Sequence, residues 1–252
     1  MTVTTTHLPP TPGRRSRPTG PNAWLVIGGV GTAILLIAGA LSVAGWLGYR
    51  TEVQSQVYHQ SIATIDIDIA TGDLVLSPGE PDTVSLTRRL HWSYTKPTVE
   101  EHWDGQTLRV TGACRGVSFG PNCGVDYTVA VPPGIAIRAH TSTGDVLVRD
   151  LHGELQLSTD TGDITASGIA SNSVTASADT GDITLSFSAP PQAVSAGTDT
   201  GDVTLAVPPG DDYHVQAQTD TGDVGIAVQQ NEGSARSITA RTNTGDINIS
   251  YS

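Results

Sequence analysis

The chain has 252 residues, with 25 acids against 13 bases, two Cys and an aromatic share of only 5%. Three of the bases lie before residue 50, where there is no acid, so residues 50–252 carry 25 acids and 10 bases. A body this acidic offers phosphates no basic footprint, which excludes nucleic acid as an expected partner. So few large rings point to repetitive β-structure filled by small residues.

Residues 1–23 hold six Thr and five Pro with no apolar period and are expected to form a disordered cytoplasmic tail. From Trp24 to Leu47 there are 24 residues without a charge. At about 1.5 Å per residue they reach roughly 36 Å, enough for a hydrocarbon core of about 30 Å. Trp24, Trp46 and Tyr49 stand at the ends, where amphipathic rings prefer the interface, and Arg14, Arg15 and Arg17 precede the run. The pattern predicts one transmembrane helix over 24–47 with the N-terminus cytoplasmic and the body outside the membrane. The lipid bilayer is therefore the first expected partner. The alternative is a signal peptide cleaved after Ala44, at Ser42-Val43-Ala44. Residues 48–59 are expected as a juxtamembrane linker.

Residues 60–134 hold a cluster of aromatic and His residues, including His91, Trp92, Tyr94, His102, Trp103 and Tyr127. Short alternating runs (Ile65, Ile67, Ile69; Val84, Leu86; Leu108, Val110; Val129, Val131) mark strands. This stretch is expected to be a β-capping region that opens the domain behind it. Cys114 and Cys123 close a short segment, and outside the membrane a disulfide is the expected state.

Residues 135–252 are dominated by an internal repeat. Thr-Gly-Asp occurs seven times in the chain, with its Asp at Asp73, Asp145, Asp163, Asp182, Asp202, Asp223 and Asp246. The last six are separated by 18, 19, 20, 21 and 23 residues. Apolar residues stand eight and six positions before each Asp, and one and three positions after it. The first copy reads Ile65, Ile67, Leu74 and Leu76, and the third reads Leu155, Leu157, Ile164 and Ala166. Period two on both arms means two strands with one buried face each. The inward parity changes across Gly-Asp, so a straight strand would put its second half on the wrong face. The chain must therefore turn there, with Gly supplying a positive φ and Asp capping the turn. One such unit cannot bury its apolar face alone, whereas stacked units can. The reading is an all-β fold, a β-solenoid or flattened β-roll of about 20-residue repeats, with a sandwich of hairpins as the alternative.

The seven corner Asp are read as structural, with weak divalent-cation binding as the secondary reading, because acidic oxygen-rich rows suit Ca²⁺. Asp-Thr-Gly, the aspartic-protease signature, begins at Asp160, Asp179, Asp199 and Asp220. Asp follows the Gly each time and the motif recurs at repeat spacing, so an identical corner explains all four copies. Glu100, Glu101, His102 and Trp103 together suggest a small polar site with an aromatic platform, against the plainer reading of an edge strand. No catalytic residue and no cofactor is expected.

Residues 60–252 resemble the bacterial putative-adhesin family of β-strand repeats, a domain family of unknown function. The likeness rests on the Thr-Gly-Asp-Ile/Val copies, on Tyr127-Thr128-Val129-Ala130-Val131-Pro132-Pro133-Gly134 and on the apolar segment upstream. It implies an all-β repeat fold at the cell envelope and brings no catalytic residues. The expected function is a single-pass envelope protein whose external repeat domain is a non-catalytic binding or adhesion module for a surface, glycan or protein ligand. The alternatives are a cell-wall polysaccharide-binding or -modifying protein and an envelope-stress sensor.

Overall fold

The computed structural model describes residues 49–114 and 123–252. The expected tail and transmembrane helix lie outside the described residues. Among the described residues there is no helix long and apolar enough to cross a membrane.

In chain order the strands are β1 (Arg50–Tyr58), β2 (Thr64–Thr71), β3 (Leu74–Pro78), β4 (Val84–Trp92), β5 (Thr98–Asp104), β6 (Thr107–Ala113), β7 (Cys123–Val131), β8 (Ala136–Thr143), β9 (Val146–Arg149), β10 (Leu155–Thr161), β11 (Ile164–Ile169), β12 (Ser173–Thr180), β13 (Ile183–Phe187), β14 (Ala193–Thr200), β15 (Val203–Val207), β16 (His214–Thr221), β17 (Val224–Ile226), β18 (Ser237–Thr244) and β19 (Ile247–Tyr251). They form two sheets. Sheet A runs β1-β4-β7-β3-β9-β11-β13-β15-β19-β17, and sheet B runs β16-β18-β14-β12-β10-β8-β2-β6-β5.

Each Thr-Gly-Asp copy gives its first strand to sheet B and its second to sheet A. The two strands of one copy do not pair with each other. Instead β10 lies parallel between β8 and β12, with Leu155 beside Ile137 and Val174. Like columns therefore stack on like columns, and a sandwich of hairpins is excluded. The inward residues are sealed: Ile65, Leu74, Leu155, Ile164, Ile183 and Leu205 are all 0% exposed. Burial of each such side chain contributes roughly 1.5–3 kcal/mol against the entropy of ordering the strand.

The stack differs from the repeat in two ways. First, β6 and β7 form an additional rung that lacks the tripeptide. Leu108 and Val110 lie beside Ile65 and Ile67, and Tyr127 and Val129 beside Leu74 and Leu76. Second, the rungs do not follow chain order at the C-terminal end. The last copy, β18/β19, sits between the fifth, β14/β15, and the sixth, β16/β17. The inward columns give the reason. The last copy supplies Ile238, Ala240, Ile247 and Ile249, whereas the sixth supplies Val215, Ala217, Val224 and Ile226. The last copy is larger by two methylene groups, worth about 0.8 kcal/mol each when buried. The observed order buries the larger set and leaves the smaller one at the open end.

At the other end the chain caps itself. Strand β4 continues sheet A antiparallel to β7, β1 follows antiparallel to β4, and β5 continues sheet B antiparallel to β6. The expected linker at 48–59 is thus corrected: Arg50–Tyr58 form β1, an edge strand. Its inward positions are Glu52, Gln54 and Tyr58, so no apolar alternation announced it.

Candidate functional site: the aspartate ladder and the polar cap

Every corner has the same construction. The Gly has φ between +139° and +144° in all seven copies, a region open to residues without Cβ. The corner glycines stack directly: a Cβ on Gly181 would lie 2.0 Å from the Gly162 carbonyl oxygen. Beside them the corner carboxylates form a ladder. The Asp145 N–H donates to Asp73 Oδ1 at 3.0 Å, the Asp163 N–H to Asp145 Oδ1 at 2.9 Å, and the Asp182 N–H to Asp163 Oδ1 at 2.8 Å. The series continues through Asp202, Asp246 and Asp223 in spatial rather than chain order. Each hydrogen bond has an ionised acceptor, which strengthens it relative to a neutral pair and offsets repulsion between neighbouring acids. On the inner side Thr159 Oγ1 donates to the Gly144 carbonyl at 3.2 Å, and Thr242 Oγ1 to that of Gly201 at 2.9 Å. Thr141, Thr159, Thr198 and Thr242, each four positions before a corner Asp, are therefore buried with their hydroxyls satisfied. Among the described residues no group of three or more His, Cys, Asp or Glu is placed to hold a metal ion.

The ladder has an eighth member. Asp126 Oδ1 accepts the Asp73 N–H at 3.2 Å, at the position a Thr-Gly-Asp aspartate would occupy on the β6/β7 rung. Its sequence signal was the run Asp126-Tyr127-Thr128-Val129, which repeats the pattern of Asp163-Ile164-Thr165-Ala166 without the preceding Thr-Gly. On this rung Cys114, which follows β6, and Cys123, which opens β7, form a disulfide with Cα atoms 6.1 Å apart. Closing a loop of about ten residues removes roughly 2–3 kcal/mol of denatured-state entropy in the chain-entropy model. The paired substitution Cys114→Ser with Cys123→Ser is expected to lower stability by that amount, read as a drop in the urea midpoint with an unchanged slope.

The expected cluster Glu100–Trp103 is divided by the strand it lies on. In β5 Glu100 and His102 face solvent, while Glu101 and Trp103 face inward. The inward pair joins a network the sequence did not announce. Tyr58 donates its hydroxyl proton to Glu101, and Arg88 pairs with the same carboxylate. Arg88 Nε also donates to Gln54 Oε1 at 2.7 Å, and Lys96 Nζ reaches Glu52 at 2.6 Å and lies 5.3 Å from the centre of the Trp92 ring. Trp103 meets Tyr58 edge-on at 5.6 Å, so it is no outward platform. The network seals the end of the interior with charged and hydrogen-bonding groups, the composition a terminal rung needs against solvent.

Burial, with the Glu101 carboxylate beside it, pushes the Tyr58 phenol up from 10 to about 12. Burial also pushes Tyr127 above the ordinary phenol range. A raised folded-state value favours the neutral phenol, so its contribution is complete below pH 10 and is lost as pH rises through about 12. The denaturation midpoint is expected to fall over that window, and Tyr58→Phe to shrink the fall. An alkaline profile unchanged by Tyr58→Phe would contradict this assignment.

The stack of Gly-Asp corners over residues 136–252 coincides with a family match. These residues match the Toastrack DUF4097 family. Upstream of the matched toastrack region, β2/β3 and β6/β7 extend the same stack. No curated protein matches the chain. Among solved structures, a putative cell adhesion protein from Clostridium sporogenes aligns at 14% identity and a TM-score of 0.49, covering 81% of this chain and 100% of that one. A putative adhesin from Bacteroides fragilis aligns at 13% and 0.43, covering 79% and 97%. A putative lipid binding protein from Parabacteroides distasonis aligns at 10% and 0.33, covering 81% and 97%.

The outer face of the toastrack sheet B holds a polar patch across neighbouring rungs. Arg138 Nε donates to Gln156 Oε1 at 3.2 Å, His140 Nδ1 lies 3.0 Å from Ser158 Oγ, and His140 Nε2 lies 3.9 Å from Asp160. With Asp66 and Thr175, the residues Arg138, His140, Gln156 and Ser158 line a shallow groove of about 330 Å³. It presents donors and acceptors at strand spacing, about 4.8 Å apart.

Proposed function

We propose that the chain is a single-pass envelope protein, anchored through residues 24–47, whose extracytoplasmic toastrack domain is a non-catalytic binding or adhesion module. The observation that carries the reading is the patch of Arg138, His140, Gln156 and Ser158 on the outer face of the paired strands β8 and β10. Its polar groups are held in register by the stack below and are open to a hydroxyl-rich or peptide surface. The Cys114–Cys123 disulfide supports an oxidising compartment. Glu101 and Trp103 turn inward to seal the cap, which counts against a polysaccharide cleft there.

The test uses a fragment of residues 49–252, which contains the whole described core. It is applied to glycan arrays and to whole cells. The reading expects retention on at least one of them, with Arg138→Ala/His140→Ala cutting retention about tenfold, worth about 1.4 kcal/mol, at unchanged melting temperature. Binding to neither overturns it.

A further inference from the structure

The two ends of the stack are unlike, and the C-terminal end is open. Val224 on β17 is 42% exposed, and Val215, Ala217 and Ile226 are only half-buried. Their counterparts on the last copy, Ile238, Ala240, Ile247 and Ile249, are 0–1% exposed. Strand β16 is a free edge. The His214 N–H is taken by Arg236 on the β18 side, so alternate residues Val215, Ala217 and Thr219 turn their backbone groups outward. The edge already takes a strand at its start: the Tyr213 N–H donates to the Gln229 carbonyl, and the Asn231 N–H to the Tyr213 carbonyl. That segment goes no further, and among the described residues no strand pairs with the outer side of Val215–Thr219. The Asp223 carboxylate ends the ladder and receives no backbone N–H among the described residues. No Lys, Arg or Pro occurs between His214 and Ile226 to guard the edge.

We infer that this end is an interface for a second copy of the chain, joined edge to edge about a two-fold axis. The other end of each copy is unlike this one: it is made of the antiparallel strands β1, β4 and β5 with Glu52, Arg88 and Lys96 between them, so it does not repeat the parallel rung pattern of β16 and β17. The end is self-complementary. Thr219 and Ile226 stand three residues either side of the Gly222-Asp223 corner, and both lie on the free edge. An axis through these two positions pairs β16 with β16 and β17 with β17, antiparallel in both sheets at once. It places Gln218 of one copy opposite Asp220 of the other, so no acid faces an acid. It also clears the edge already occupied at Tyr213. The contact buries the half-exposed Val224 and Ile226 and continues both sheets across the axis, as a closed isologous pair requires.

The test uses the full chain in nanodiscs or detergent. Ile226→Cys lies on the axis and is expected to form a self-linked dimer under mild oxidation. Gln156→Cys, on the outer face of mid-stack strand β10, is expected not to link. Val224→Lys changes a side chain exposed in the single copy, so it is expected to abolish the dimer at unchanged melting temperature. If that variant fails to fold, Asp220→Lys serves in its place. A chain that stays single at every concentration would overturn the inference. So would a dimer indifferent to both lysine variants, or one linked equally well by Gln156→Cys.

Discussion

Gly181→Ala is expected to cost more than about 4 kcal/mol, enough to unfold much of the marginal stability of a domain this size. The backbone at Gly181 has φ +143°, where an L side chain costs about 1–3 kcal/mol by itself. The added Cβ would also lie 2.0 Å from the carbonyl oxygen of Gly162 on the next rung. That oxygen belongs to backbone and cannot swing aside, so the rungs must part. Parting them stretches the Gly162 N–H bond to the Thr180 carbonyl and the Asp182 N–H bond to Asp163. The position in the stack matters. Gly222 makes the same close approach, 2.1 Å to Gly245, but its rung is at the open end and can shift outward. Gly222→Ala is therefore expected to cost less than Gly181→Ala. Gly105, with φ +60° and no atom within 4 Å of the place a Cβ would take, is the reference, at about 1 kcal/mol. Urea midpoints of the three variants check the order; equal losses at Gly181 and Gly105 would show that rung contact does not limit the corner.

This ordering follows from features visible in the sequence. The parity change across Gly-Asp located the corner, because side chains alternate with a strict period of two. The apolar columns located the interior for the same reason, and the Cys pair located the disulfide. The features that were missed have a common physical cause. Asp126 holds a ladder position without Thr-Gly before it, so the tripeptide that marks the other seven is absent there. The Tyr58–Glu101–Arg88 network joins residues on three separate strands, and nothing local links them. Glu100–Trp103 reads as a cluster in one dimension but is split by alternation in three. The spatial order of the last two copies was also hidden, since both fit the same columns and only the difference in inward volume chooses between them.

That shared fit leads to a prediction about a chain that ends at Asn231, without β18 and β19. The sixth copy is expected to move inward by one rung and dock directly on the fifth. The registers coincide: Val194 and Val215 both lie beside Ile238, and Ala196 and Ala217 both lie beside Ala240. Val215 can therefore take its place beside Val194, with Thr219 reaching Gly201 and the Asp223 N–H reaching Asp202, the partners that Thr242 and Asp246 now hold. Stability should still fall. Ile238, Ile247 and Ile249 are gone, and with them one of the rung-to-rung interfaces whose sum holds the stack together. In a stack whose energy is a sum over neighbouring rungs, the net loss is a few kcal/mol and unfolding remains cooperative. Hydrogen exchange decides whether the shift occurs. Protection retained at Asp223 and along β16 means that the vacated slot has been filled, whereas fast exchange throughout 214–226 would show that the sixth copy needs the last one to hold it in the stack.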